Sequence, residues 1–150
     1  MLLVKNLNQY NDNHVIFCDP IKNNIMNEGN FIRILYSTND ITFNGIYLLI
    51  NLKDIYCEKY YNKYKCIFNM NIHKELIESI KTIEENLLQK LKNTYYNKCP
   101  EFKIYEQLKN GFIKIFQEIQ NNSYSSFILK ISGVWETSSN YGLTYKFISV

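Results

Sequence analysis

One stretch of this 150-residue chain carries a sustained helical period. In IHKELIESIKTIEENLLQKLKN, Ile72, Leu76, Ile80, Ile83, Leu87 and Leu91 recur at three- and four-residue spacing. Side chains so spaced share one face, which predicts a long amphipathic helix with Asn71 as its N-cap. Glu78, Lys81, Glu85 and Lys92 fall on its wet side. An apolar stripe of this kind packs on a core that the helix cannot supply, so the rest of the chain must build that core.

The rest reads as short β-rich runs. Residues 14–18 form a brief strand stopped by Asp19-Pro20, and 21–30 have turn chemistry. FIRILYST (31–38) puts Phe31, Arg33, Leu35 and Ser37 on one face and Ile32, Ile34 and Tyr36 on the other. After a turn at Asn39-Asp40, GIYLLINL (45–52) is the next strand. YCEKYY (56–61) reads as a connection, and NKYKCIFNM (62–70) as a third strand. Alternation gives Lys63 and Lys65 one face of that strand and Tyr64 the other.

Beyond the helix, Pro100 blocks its continuation. Asn110-Gly111, between 102–108 and 112–116, predicts a hairpin, although Leu108, Phe112, Ile115 and Ile119 also match a helical spacing. FILKISGVW (127–135) and YGLTYKFISV (141–150) are two further strands joined by the polar turn ETSSN.

The order of three strands, one long helix and then more strands predicts a β-rich α+β fold. The expected form is a single OB-fold-like barrel over residues 1–150, with the helix between the third and fourth barrel strands and extra hairpin strands. A helix on an open sheet is the alternative.

Composition excludes more than it assigns. The 17 basic and 14 acidic side chains leave a net charge of +3, so a polyanion partner requires the lysines to cluster. Asn, Lys, Ile and Tyr accumulate together in AT-rich coding sequence, which discounts any single Lys/Tyr cluster. No apolar run reaches the roughly 18 residues of a membrane span, and the N-terminus lacks the features of a signal peptide. An intracellular protein is therefore expected.

Cys18, Cys57, Cys66 and Cys99 form no C-x-x-C pair, and His14 and His73 are far apart, so neither a metal nor another cofactor is expected. Cys57 and Cys66 flank a potential hairpin, with reduced buried thiols the expected state. The phosphate-binding, dinucleotide, zinc-protease and nucleophile-elbow motifs are missing, and the chain is read as non-catalytic.

Two passages carry a resemblance: GNFIRILYSTNDITFNGIYLLINL, and LKISGVWETSSNYGLTYKFISV with its run from Gly133 to Ile148. They resemble small proteins of giant and other large nucleocytoplasmic DNA viruses, some of which look like OB-fold single-stranded DNA-binding proteins. The resemblance implies sequence-independent binding of single-stranded DNA during viral replication, recombination or repair, in host cytoplasm or a viral factory. RNA as ligand and homo-oligomerisation stay open. Many such binders end in an acidic recruiting tail, whereas this chain ends in an apolar strand, which puts recruitment of that kind in doubt. The rival reading is a viral structural or protein–protein interaction protein without nucleic-acid binding.

Single-strand binding needs cations along phosphates and rings against bases. The candidate residues are Arg33, Lys53, Lys59, Tyr60, Tyr61, Lys63, Lys65, Trp135, Tyr141 and Lys146, with Lys130 as a further cation and Tyr36, Tyr47 and Tyr145 as further rings. Arg33 is the sole guanidinium, suited to stacking and bidentate phosphate contacts. The groove is expected from strands 31–38, 45–52 and 62–70, with 55–63 as one wall. Tyr60, Tyr61 and Tyr141 are expected in turns, and Tyr36 and Tyr47 in the barrel interior.

Overall fold

The computed structural model describes residues 4–22, 29–116 and 124–150. Apolar alternation gives the strands Asn30–Ser37 and Ile46–Lys53 one buried face each. The first half holds β1 (Val15–Phe17), β2 (Ile21–Lys22), β3 (Asn30–Ser37), β4 (Thr42–Phe43) and β5 (Ile46–Lys53). β6 (Tyr56–Tyr60) and β7 (Lys63–Ile67) follow, then helix α1 (Lys74–Gln89). The second half runs through β8 (Cys99–Glu101), helix α2 (Lys103–Lys109), β9 (Phe112–Ile115), β10 (Tyr124–Glu136) and β11 (Asn140–Ser149). The fold is β-rich α+β, with a curled large sheet and one long helix.

β10 organises the large sheet. Its one edge pairs with β11, and its other edge is shared: residues 124–131 pair with β5 and 133–136 with β3, both antiparallel. Between those two partners the chain leaves β10 at Arg33, runs out along β3, and returns through β4 to rejoin at Ile46. A register shift between Ile131 and Gly133 marks the changeover, where one extra residue bends the strand. Ile34, Leu48, Ile50, Leu52, Phe127, Leu129 and Ile131 are almost completely buried along this sheet. Gly29 admits no side chain. Its φ is +94°, and a Cβ there would sit 1.8 Å from the Glu136 carbonyl oxygen.

The strands at 31–38 and 45–52 form as expected, with Ile32, Ile34 and Tyr36 buried. β7 is not their neighbour. It lies in a separate three-stranded sheet, β6-β7-β9, so the expected groove of strands 31–38, 45–52 and 62–70 is not assembled. YCEKYY is mostly strand rather than connection, because β6 and β7 make a tight hairpin turning at Tyr61-Asn62. Tyr61 takes a positive φ of 57° there. The expected loop begins with β2, and its 23–28 portion lies outside the described residues, as does Ile119.

The helix is where its period predicts, with a different start. A 3-10 turn over Met70–His73 precedes it, and the Asn69 side chain, not that of Asn71, accepts a backbone N–H at 2.9 Å. Ile77, Ile80, Ile83, Leu87 and Leu88 are its buried stripe, whereas Ile72 is exposed.

The hairpin expected at 102–116 does not form. Residues 103–109 are helical, and Asn110-Gly111 ends that helix, with Gly111 at φ +81° as helix C-termini favour. The cause lies about twenty residues upstream. Glu84 of α1, buried at 1% exposure, accepts hydrogen bonds from the N–H groups of Ile104 (3.0 Å) and Tyr105 (2.9 Å). A carboxylate there satisfies two orphan donors of a helix N-terminus, which local turn chemistry cannot outbid.

Burial pushes the Glu84 carboxyl up to about 7. The two N–H groups pull against that shift, and Glu106 and Glu85 add to it. Glu84 therefore binds its proton more tightly in the folded chain than in the unfolded one. Its contribution is fully present below the ordinary carboxyl range and lost as pH rises through about 7. Relative to Glu84→Gln, the wild-type chain is expected to lose roughly 3 kcal/mol of stability between the acid and alkaline sides of that window. Urea unfolding of both chains at pH 4.5, 6 and 8 measures this, and parallel pH profiles would refute it.

Candidate nucleic-acid interface

The small sheet has one face turned to the core and one turned out. Cross-strand partners share a face, so register sorts them. Cys57, Cys66 and Ile113 point inward, with Cys66 and Ile113 fully buried. The outward rows are Tyr60 with Lys63; Glu58 with Lys65 and Lys114; and Tyr56 with Ile67 and Phe112. Phe116, just past β9, is exposed. Tyr64 does face away from Lys63 and Lys65, as alternation requires. The neighbouring strands supply the rings instead.

Those rings and lysines are in contact. Lys63 Nζ lies 5.1 Å from the Phe116 ring centre, Lys65 Nζ 4.6 Å from that of Phe112, and Lys114 Nζ 5.2 Å from that of Tyr60. Tyr60 and Tyr61 meet edge to face at 4.8 Å.

The large sheet presents a second positive row. Tyr47, Lys130 and Lys146 are register partners across β5, β10 and β11, and Lys130 Nζ sits 5.4 Å from the Tyr47 ring centre. Arg33 and Trp135 follow on the same face in the next two rows, opposite Gly133 and Phe31. The two sheets meet at a groove of about 260 Å³ between β9 and β11, lined by Lys63, Lys114, Phe116, Tyr145 and Lys146 among others. Tyr145 is anchored there by donating to Gln107 Oε1 at 2.6 Å; burial, with Glu84 and Glu106 adding, pushes its hydroxyl up to about 12.

Lys65 stands directly opposite Lys114, and Lys130 directly opposite Lys146. Like charges so placed destabilise a sheet. Among the described residues no carboxylate oxygen lies within 4.0 Å of any of these four or of Lys63. Glu58, opposite Lys65, is the acidic member of the outward rows. The lysines that do pair with carboxylates are elsewhere: Lys81, Lys90, Lys98 and Lys103.

Of the ten residues expected from the sequence, Tyr60, Lys63, Lys65 and Lys146 converge on this surface. Tyr61 flanks it at the hairpin tip, 82% exposed. Arg33 is exposed on the large-sheet face and donates to Asn44 Oδ1 at 2.8 Å. Trp135, at the far end of β10, is half-buried over Gly142 and receives Lys103 Nζ 4.8 Å from its ring centre.

Three residues do not join. Lys59 pairs with Tyr64, on the other face of the hairpin. Lys53 lines a separate open cleft of about 580 Å³ with His73 and Leu76. Tyr141 is not in a turn; it is a strand residue 3% exposed, tilted against Tyr95 at 5.0 Å, because alternation in β11 points it inward. Tyr47 is half-buried on the outer face rather than interior. Lys114, Phe112 and Phe116 were missed. Their sequence, GFIKIF, carries the alternation, but only its pairing with β7 reveals the face.

Among the described residues, no three His, Cys, Asp or Glu side chains cluster as metal ligands, and no helix is long and apolar enough to cross a membrane. No family model, curated protein or solved structure matches this chain.

The opposed lysines predict a charge that works against folding. Lys114→Gln is expected to stabilise the chain by about 0.5 kcal/mol at low ionic strength, with the gain fading in 0.5 M salt. Chemical unfolding at both ionic strengths measures it; equal stability of the two chains at low salt would contradict the arrangement.

Proposed function

We propose that this chain binds single-stranded nucleic acid, DNA foremost, without sequence preference and without catalysis. Supporting this are the two cross-strand lysine pairs, interleaved with the rings of Tyr60, Phe112 and Phe116 and, among the described residues, with no carboxylate oxygen within 4.0 Å. Lysine ammonium groups neutralise phosphates, and Tyr60, Phe112 and Phe116 offer flat faces to bases. The strand would run over the outer face of the small sheet, through the groove and onto Lys130 and Lys146. The setting implied by the resemblance, genome replication, recombination or repair in a large DNA virus, belongs to the same proposal.

The finer fold proposal is a divergent OB-type barrel. The element order and the curl of the large sheet support it. The sharing of one β10 edge by β3 and β5, and the separate β6-β7-β9 sheet, are the departures such a barrel has to accommodate.

A second reading, docking of an acidic protein partner, is favoured by Ile67. It is exposed in the row of Tyr56 and Phe112, where neither phosphate nor base needs an aliphatic side chain.

Fluorescence polarisation with oligo(dT) separates the two. If five lysines contact phosphates, affinity should fall roughly 100-fold between 50 and 200 mM salt, since log K for single strands changes by about −0.7 per contact. Lys114→Gln with Lys146→Gln should flatten the salt slope by about 1.4. Tyr60→Ala or Phe116→Ala should cost about 1–3 kcal/mol at any salt. No binding at low salt would discard the proposal in favour of the protein-docking reading.

A further inference from the structure

Cys57 and Cys66 face each other across the β6–β7 hairpin. They are register partners, both side chains lie on the inward face, and the two Sγ atoms are 2.6 Å apart. Cys66 is fully buried beneath the sheet, whereas Cys57, on the edge strand, is only partly covered. The other thiols have no such partner in register: Cys18 follows β1, and Cys99 is exposed in β8.

We propose that Cys57 and Cys66 are a redox pair that closes to a cross-strand disulfide in the presence of a peroxide and staples the hairpin. This inference stands apart from the nucleic-acid reading, because it concerns the inward face of the hairpin and needs no ligand.

The chemistry balances with hydrogen peroxide as oxidant. The Cys57 thiolate, the more accessible of the two, attacks a peroxide oxygen. The S–O bond forms, the O–O bond breaks, and the departing hydroxide takes a proton to become water. The Cys66 thiolate then attacks the Cys57 sulfur, forming the S–S bond and releasing the second oxygen as water. In total, two thiols give up two protons and two electrons, and one peroxide becomes two waters. Burial raises both thiols above their ordinary range, so the first step accelerates with pH.

The consequence is local. Residues 57 and 66 enclose a short loop containing Tyr60, Tyr61 and Lys63, and the link fixes the register that sets Tyr60 opposite Lys63. Closing such a loop restricts the unfolded chain and holds the hairpin shut.

The full-length chain is treated with hydrogen peroxide, alkylated, digested without reduction and mapped by mass spectrometry. The expected product is an intramolecular peptide linking Cys57 to Cys66, two hydrogens lighter and restored by dithiothreitol. The melting temperature should rise by roughly 5–10 °C on oxidation and fall back on reduction. Cys57→Ser, at the partly covered position, should lose both the linked peptide and the shift. Linkage through Cys18 or Cys99, or Cys57 and Cys66 remaining open to alkylation after unfolding, would overturn the proposal. Oligo(dT) binding plays no part in the readout, so either idea can fail alone.

Discussion

The Glu84 carboxylate, held on α1 and closed over two backbone N–H groups of α2, sets where the second half of the chain goes. With those donors satisfied, residues 103–109 are committed to helix, and Gly111 ends it with a left-handed turn. The chain then enters β9 antiparallel to β7. Lys114 and Phe112 reach the outer face of the small sheet only by that route. The contact is also conditional, because burial and the acceptor role make opposite demands on the same group. Neutral Glu84 suits the dry site, and ionised Glu84 suits the N–H groups.

What could be read in the sequence follows from range of interaction. α1, β3, β5, β10 and β11 each declare themselves through a period carried by their own residues. The inward placement of Ile32, Ile34 and Tyr36 follows from alternation alone. The segment at 102–116 was ambiguous for a physical reason: Asn-Gly serves a two-residue hairpin and a helix C-terminus equally well. The deciding group, Glu84, sits about twenty residues away. Tyr141 misled for a smaller reason, since the turn between β10 and β11 is shorter than ETSSN suggests. Asn140 already pairs with Cys99 in β8, and the next residue points inward.

The candidate site was half legible. Lys63, Lys65 and Tyr60 stand out as a cluster, yet strand parity seemed to split cations from rings. The resolution is that a face belongs to a sheet rather than to a strand. β6 contributes Tyr56 and Tyr60, and β9 contributes Phe112, beside the lysines of β7. Such pairings join residues nearly fifty positions apart, and no local pattern encodes them. Among the described residues Lys63, Lys65, Lys114, Lys130 and Lys146 have no carboxylate oxygen within 4.0 Å, even with Glu58 opposite Lys65, whereas Lys81, Lys90, Lys98 and Lys103 each lie within 4.0 Å of one. Like charges set directly opposite one another in a sheet cost stability, so the Lys65–Lys114 and Lys130–Lys146 pairs work against folding.

The kind of cation gathered bears on what such a surface discriminates. Lysine presents a rotatable point charge, whereas arginine presents a rigid fork that reads the edge of a base or clamps one phosphate. Lys63, Lys114 and Lys146 line the groove, and Lys65 and Lys130 stand opposite Lys114 and Lys146 in the adjoining rows. The sole guanidinium, Arg33, lies one row away with a hydrogen bond to Asn44. In the proposed role, the rings meet any base through its flat face and the ammonium groups meet any phosphate, so neither contact distinguishes one nucleotide from the next. Selectivity for single strands over duplex then rests on the rings. Only unpaired bases can turn their faces to Tyr60 and Phe116, while the lysines attract both forms alike.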